Sequence, residues 1–151
     1  RGDDEGAVDI RVQTEFEGAI SDRCIEFAAL DRVVYNLMNN AIEHARGGAV
    51  ELHMLPTPEQ DPRNLRIVVA NALGEEARRW FDETLDGDPT TLFEGGYTTS
   101  GSGLGLRICA DLVGMAYGVG LEESIREGYV GARIDGDVIT TWVHWPIVRS
   151  D

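Results

Sequence analysis

The sequence predicts an α+β fold, a two-layer sandwich in which about three helices cover one face of a mixed sheet. Three observations carry that prediction. Apolar residues recur at positions 30, 33, 34, 37, 38, 41, 42 and 45, the period of a helix laid on a core. Strand-like segments follow, the last two split by Asp135-Gly136-Asp137, a break that makes them a hairpin because Asp-Gly supplies the positive φ of a tight turn. Between them, a stretch rich in glycine and hydroxyls runs straight into a second apolar helix.

In chain order, strands are expected near Asp9 to Val12 and Cys24 to Phe27, then the helix Leu30 to Ala45. Strands at Val50 to Leu55 and Leu65 to Asn71 follow, joined by a surface loop from Pro56 to Pro62. A short helix is expected from Glu75 to Thr84, a mobile loop from Asp86 to Ser102, and a helix from Leu104 to Tyr117. The last helix is apolar almost all round except at Arg107 and Asp111, as for a helix buried under a sheet. The hairpin strands run Tyr129 to Ile134 and Val138 to Trp145.

At 151 residues the chain reads as one domain, 1–151, long enough to bury about 70% of the surface its unfolded chain exposes. It opens on arginine rather than methionine, so it reads as a domain taken from a longer protein. No apolar run reaches membrane-spanning length, and no signal-peptide pattern opens it. The net charge of −14 argues against nucleic-acid and anionic-membrane surfaces, which need clustered cations. Cys24 and Cys109 have no CxxC spacing and read as reduced, buried thiols.

Two stretches carry chemistry. In Gly101-Ser102-Gly103-Leu104-Gly105-Leu106, glycines let backbone N–H groups approach an anion, and the helix beginning near Leu104 aims its positive end at the same place. Thr98, Thr99, Ser100 and Ser102 offer hydroxyls beside it. In the first helix, Asn36, Asn40 and His44 form an i, i+4 ridge along the border of the apolar stripe, while Asn39 projects to the polar face. Asparagine is a mediocre helix former, so two spaced by one turn need a reason. An amide oxygen is a hard ligand suited to a magnesium ion that bridges protein and nucleotide phosphates.

Taken in order, NLMNNAIEHA, the Asn-containing strand end, LFEGGYTTSGSGLGLRI and the closing TTWVHWPI resemble the ATP-binding domain of bacterial sensor histidine kinases. The wider Bergerat-type family includes DNA gyrase, the heat-shock chaperone ATPases and the mismatch-repair ATPases. The resemblance runs from about Val8 to Ile147. It implies ATP and Mg²⁺ as ligands, with Asn40 holding the magnesium and Asn36 supporting it or the phosphates. Gly101, Gly103 and Gly105 would be hinge and phosphate cradle of an ATP lid anchored by Phe93, with His44, Gly74, Thr99, Ser102 and Leu104 lining the nucleotide site.

Two departures are visible. Where the family places an aspartate, in a DxGxG run, for the adenine amine, the chain has Asn71-Ala72-Leu73-Gly74; an amide oxygen accepts the same hydrogen bond without the charge. The lid from Gly95 to Gly103 carries no cation; Arg107, one step into the next helix, either compensates for that or, the favoured reading, pairs with Asp111 at i, i+4. Hydrolytic relatives carry a glutamate one turn before the metal asparagine. Asn36 cannot take a proton from water, which favours phosphotransfer.

His53 and His144 alternate within strands and read as structural. The resemblance therefore implies a catalytic domain that phosphorylates a histidine on a separate dimerisation domain of the same protein, with a response regulator reached through that domain. A cytoplasmic location and a monomeric fragment go with it. Two alternatives share the pattern: a serine kinase resembling anti-sigma factors, and a pseudokinase that binds nucleotide weakly or not at all.

Overall fold

The computed structural model describes residues 9–14, 24–45, 48–58, 60–97 and 103–147. Five strands form one mixed sheet in the order β1-β2-β3-β5-β4: β1 (Asp9–Thr14), β2 (Ala49–Thr57), β3 (Asn64–Ala72), β4 (Val130–Asp135) and β5 (Val138–Pro146). β1 runs parallel to β2, and the remaining neighbours are antiparallel. Helices α1 (Cys24–Ala45), α2 (Glu75–Leu85), α3 (Gly105–Tyr117) and α4 (Leu121–Arg126) accompany it, with a 3₁₀ turn at Pro89–Glu94.

Period-two alternation explains the single buried face. Leu65, Ile67, Val69 and Asn71 of β3 pair with Trp145, Val143, Thr141 and Ile139 of β5, and all eight are buried. On this face α1 lays Leu30, Val33, Leu37 and Ala41, and α3 lays Leu106, Cys109, Ala110 and Val113. The two helices are antiparallel: Gly105 lies beside Asn36, while four residues later Cys109 reaches back to the Val33 carbonyl, its Sγ 3.4 Å away. On the outer face Trp142 lies across Gly131, where an added Cβ would come within 2.3 Å of the indole, and the Arg66 guanidinium sits 5.4 Å from the Trp142 ring centroid.

The expected sandwich is what forms, with four corrections. Cys24 to Phe27 is not a strand but the first turn of α1: once a helix is nucleated, each added residue gains a bond, and Ala28 and Ala29 carry it backwards. α3 is not buried all round, since a two-layer architecture leaves its outer side to water; Met115 is 69% exposed and Leu104 45%. The first part of the expected mobile loop, up to Glu94, is a packed 3₁₀ turn with Pro89, Leu92 and Phe93 buried. The Pro56 to Pro62 loop is shorter than expected, because β2 continues to Thr57.

The hairpin turn follows the sequence, with Gly136 at φ 61° and Asp135 paired to Val138. α4 was not expected. Among the described residues no helix is long and apolar enough to cross a membrane.

Candidate functional site at the seam of α1 and α3

α1 presents Asn36 and Asn40 one turn apart at half-buried positions, with Asn39 exposed between them, as the border reading requires. Asn36 faces the first turn of α3. A Cβ built on Gly105 would lie 3.5 Å from Asn36 Oδ1, an ordinary contact, so the glycine leaves an open notch in front of the amide. Asn36 Nδ2 is buried and has no hydrogen-bond partner among the described residues. An unsatisfied buried donor costs about 1–3 kcal/mol. Here it opens on a helix N-terminus, and Leu104, the N-cap, supplies no side-chain cap.

The chain reaches this notch through a narrow neck. After Phe93, fully buried, it turns through Gly95 and Gly96 at φ 88° and 87°, values that only glycine adopts freely. Gly96 N–H donates to the Gly103 carbonyl at 3.0 Å, and Gly103 itself sits at φ 71°. The neck is held from two sides. Asp88 accepts the Thr90 N–H, and the Thr90 hydroxyl both donates to the Ala132 carbonyl (3.0 Å) and accepts from the Ala132 N–H (3.2 Å) on the sheet edge.

Arg107 corrects the sequence reading. Its Nη1 donates to the Glu94 carbonyl at 2.7 Å, so it serves the loop's base and not Asp111. No pairing with Asp111 is present among the described residues. An i, i+4 ion pair on an exposed helix is worth only about 0.3–0.5 kcal/mol, less than a charge-assisted bond to a carbonyl.

Asn71 ends the buried row of β3. It is 5% exposed, and its Nδ2 donates to the Ala72 carbonyl at 3.1 Å, which leaves Oδ1 as the acceptor. Gly74 is the N-cap of α2 and lines a cavity of about 450 Å³ with Leu73, Glu75, Arg78, Arg79, Asp82 and Asp137. That cavity contains neither Asn36 nor Asn40. It is the hollow between α2 and the β4–β5 turn, where Leu73 N–H donates to Asp137 and Arg78 to the Gly136 carbonyl. The chemistry points to the α1–α3 seam, where the unpaired amide is.

Of the expected residues, Asn36, Gly103, Leu104 and Gly105 are thus brought together, with Asn40 one turn along the same helix. Thr99, Gly101 and Ser102, like Thr98 and Ser100, lie outside the described residues, as does the side chain of His44. His144 and His53 take no part: the His144 ring Nδ1 is 3.0 Å from the Tyr129 carbonyl, and His53 lies 3.7 Å from Glu51 on the outer sheet face. Cys109 is a free buried thiol whose pKa burial pushes up to about 12, which makes it unreactive. Thr90 and the role of Arg107 were not found from the sequence, and the only signal for Thr90 was the Asp88-Pro89-Thr90 run that opens a capped turn.

The family described as histidine kinase-, DNA gyrase B-, and HSP90-like ATPase matches residues 26–145. Among solved structures, full-length ShkA in complex with AMPPNP superposes with a TM-score of 0.60 at 19% identity, covering 96% of this chain and 27% of that one. The nucleotide-free catalytic domain of the histidine kinase ThkA gives 0.56 at 20% identity, covering 92% and 78%. The Acinetobacter baumannii histidine kinase AdeS gives 0.56 at 12%, covering 94% and 55%. At these identities the likeness is one of fold. The curated proteins give no match by sequence.

Proposed function

Because the chain belongs to the histidine kinase-, DNA gyrase B-, and HSP90-like ATPase family, we propose that it is the ATP-binding catalytic domain of a protein histidine kinase. In this reading it passes the γ-phosphoryl group of ATP to a histidine on a separate dimerisation domain of its parent protein, releasing ADP. The observation that carries the proposal is the buried Nδ2 of Asn36, without a partner among the described residues and facing the notch at Gly105. A phosphate oxygen there would satisfy the donor and meet the N-terminal amides of α3.

The residues divide the work. Asn36 donates to phosphate, and the backbone around Gly103 and Gly105 lets an anion approach closely. Asn71 Oδ1 accepts from the adenine amine as a neutral group, so that contact is weaker than a carboxylate's. Asn40 offers a hard amide oxygen on the same ridge, a donor that fits Mg²⁺. When bound, a magnesium ion there neutralises charge that develops on the transferring phosphoryl group. Asn36 has no basic lone pair with which to deprotonate water, which favours transfer to an imidazole over hydrolysis. The acceptor module, the response regulator it serves and a cytoplasmic setting belong to the parent protein in this proposal, and the isolated domain is a monomer.

Calorimetric titration with a non-hydrolysable ATP analogue, with and without magnesium, tests the site. Magnesium-dependent binding that Asn40→Ala abolishes is expected. No binding by the unaltered domain would refute the site and turn the reading towards a regulatory pseudokinase. Labelled ATP with the parent protein tests the transfer, and the absence of acid-labile phosphohistidine would refute it.

A further inference from the structure

We infer that Arg107 is a positioning residue that latches the neck of the glycine loop to the first turn of α3. The inference rests on reading that loop as a phosphate binder. Its Nη1 donates to the Glu94 carbonyl, 13 residues back along the chain, at 2.7 Å. Its aliphatic stem lies across the Cα of Gly95: a Cβ added there would come within 2.9 Å of Arg107 Cδ and 3.1 Å of its Cβ. The next residue, Gly96, closes the neck with its bond to the Gly103 carbonyl.

The need for a latch follows from the glycines. Two consecutive residues at positive φ bring the chain to the notch, but glycine loses more conformational freedom on ordering than any other residue. A single neutral backbone bond offsets little of that cost. A guanidinium adds a charge-assisted bond, and its stem covers the Gly95 backbone from solvent. Arginine suits the position because one N–H of its fork serves the carbonyl while the others have no partner among the described residues. The latch also keeps one positive charge beside the loop in a chain of net charge −14.

The test compares the unaltered domain with Arg107→Met, which keeps the stem but removes the donor, and with Arg107→Lys, which keeps a donor and the charge. Hydrogen exchange of the Gly96 amide in nucleotide-free protein reads the latch directly. We expect exchange about tenfold faster in Arg107→Met and within about threefold of the unaltered rate in Arg107→Lys. Binding should follow, with the dissociation constant of a non-hydrolysable ATP analogue raised about tenfold in Arg107→Met while that of adenosine and the thermal midpoint stay unchanged.

Unaltered Gly96 exchange in Arg107→Met would overturn the latch. Equal weakening of ATP analogue and adenosine, or a fall in the midpoint, would overturn its positioning role in favour of a structural one. Failure of the unaltered domain to bind any nucleotide would refute the proposed function, and the exchange comparison would still decide the latch.

Discussion

Replacing Asn36 with leucine should make the domain more stable and less able to bind nucleotide. Leucine has the same branching at Cγ, so it fills the space of the amide without reaching far beyond it. The change removes a buried donor that has no partner, a cost of about 1–3 kcal/mol, and exchanges a mediocre helix former for a good one, worth a few tenths of a kcal/mol. The notch at Gly105 leaves room for the added methyl hydrogens, since a Cβ placed there would stand at ordinary contact distance from Asn36.

A net gain of about 2 kcal/mol raises the midpoint of a 151-residue domain by about 4–8 °C. Differential scanning calorimetry of the nucleotide-free protein reads that shift, and titration with an ATP analogue reads the loss of affinity. A lower midpoint would refute the reasoning, because it would mean that the Asn36 amide is already satisfied in the free protein. A higher midpoint with unchanged affinity would place the phosphates elsewhere.

Gly131→Ala should destabilise by about 1–3 kcal/mol in urea titration, because the new Cβ would meet the Trp142 indole at 2.3 Å; Trp142→Phe in the same chain should recover most of the loss. Thr90→Val keeps the shape but unpairs both backbone groups of Ala132, and a loss of about 1–3 kcal/mol with faster amide exchange along β4 is expected. His144 carries a pH dependence. Burial, with Arg66 adding to it, holds its pKa below the usual 6.5, so the native state binds fewer protons than the unfolded chain between that lowered pKa and 6.5. Stability therefore falls as pH drops through that window, and His144→Gln should flatten the fall in thermal midpoints measured across it.

Much of the fold was legible in the sequence because the patterns that specify it are local. The Leu30 to Ala45 stripe, the alternation in Leu65 to Asn71 and the Asp-Gly turn each name one element, and each is present. Where reading failed, the deciding force was not local. Cys24-Ile25-Glu26-Phe27 alternates like a strand, yet α1 extends through it, because propagation from an established helix outweighs a weak β preference. Arg107 had an obvious partner four residues away, and the bond it makes spans 13 residues instead. Thr90 could not be tied to Ala132 without knowing that β4 is the sheet edge. The amide ridge of the candidate site was visible from periodicity, but its orphaned donor was not.

Several features unfavourable to stability meet at the α1–α3 seam, although among the described residues Arg66 Nε, Arg78 Nε and Ser124 Oγ are also buried without a hydrogen-bond partner. On the outer sheet face, packing is close enough that Gly131 is required beneath Trp142. At the seam the unfavourable features coincide: a buried amide without a partner among the described residues, a helix whose N-cap lacks a capping side chain, and three glycines at positive φ within the neck. Each is unfavourable alone, and no packing requirement explains their coincidence. A single ligand property does. An anion with several acceptor oxygens would pair the Asn36 donor, meet the N-terminal end of α3 and approach a backbone stripped of side chains. Arg107 stands at the rim of that arrangement and ties it to the helix, so the positive charge that the loop itself lacks is supplied from α3.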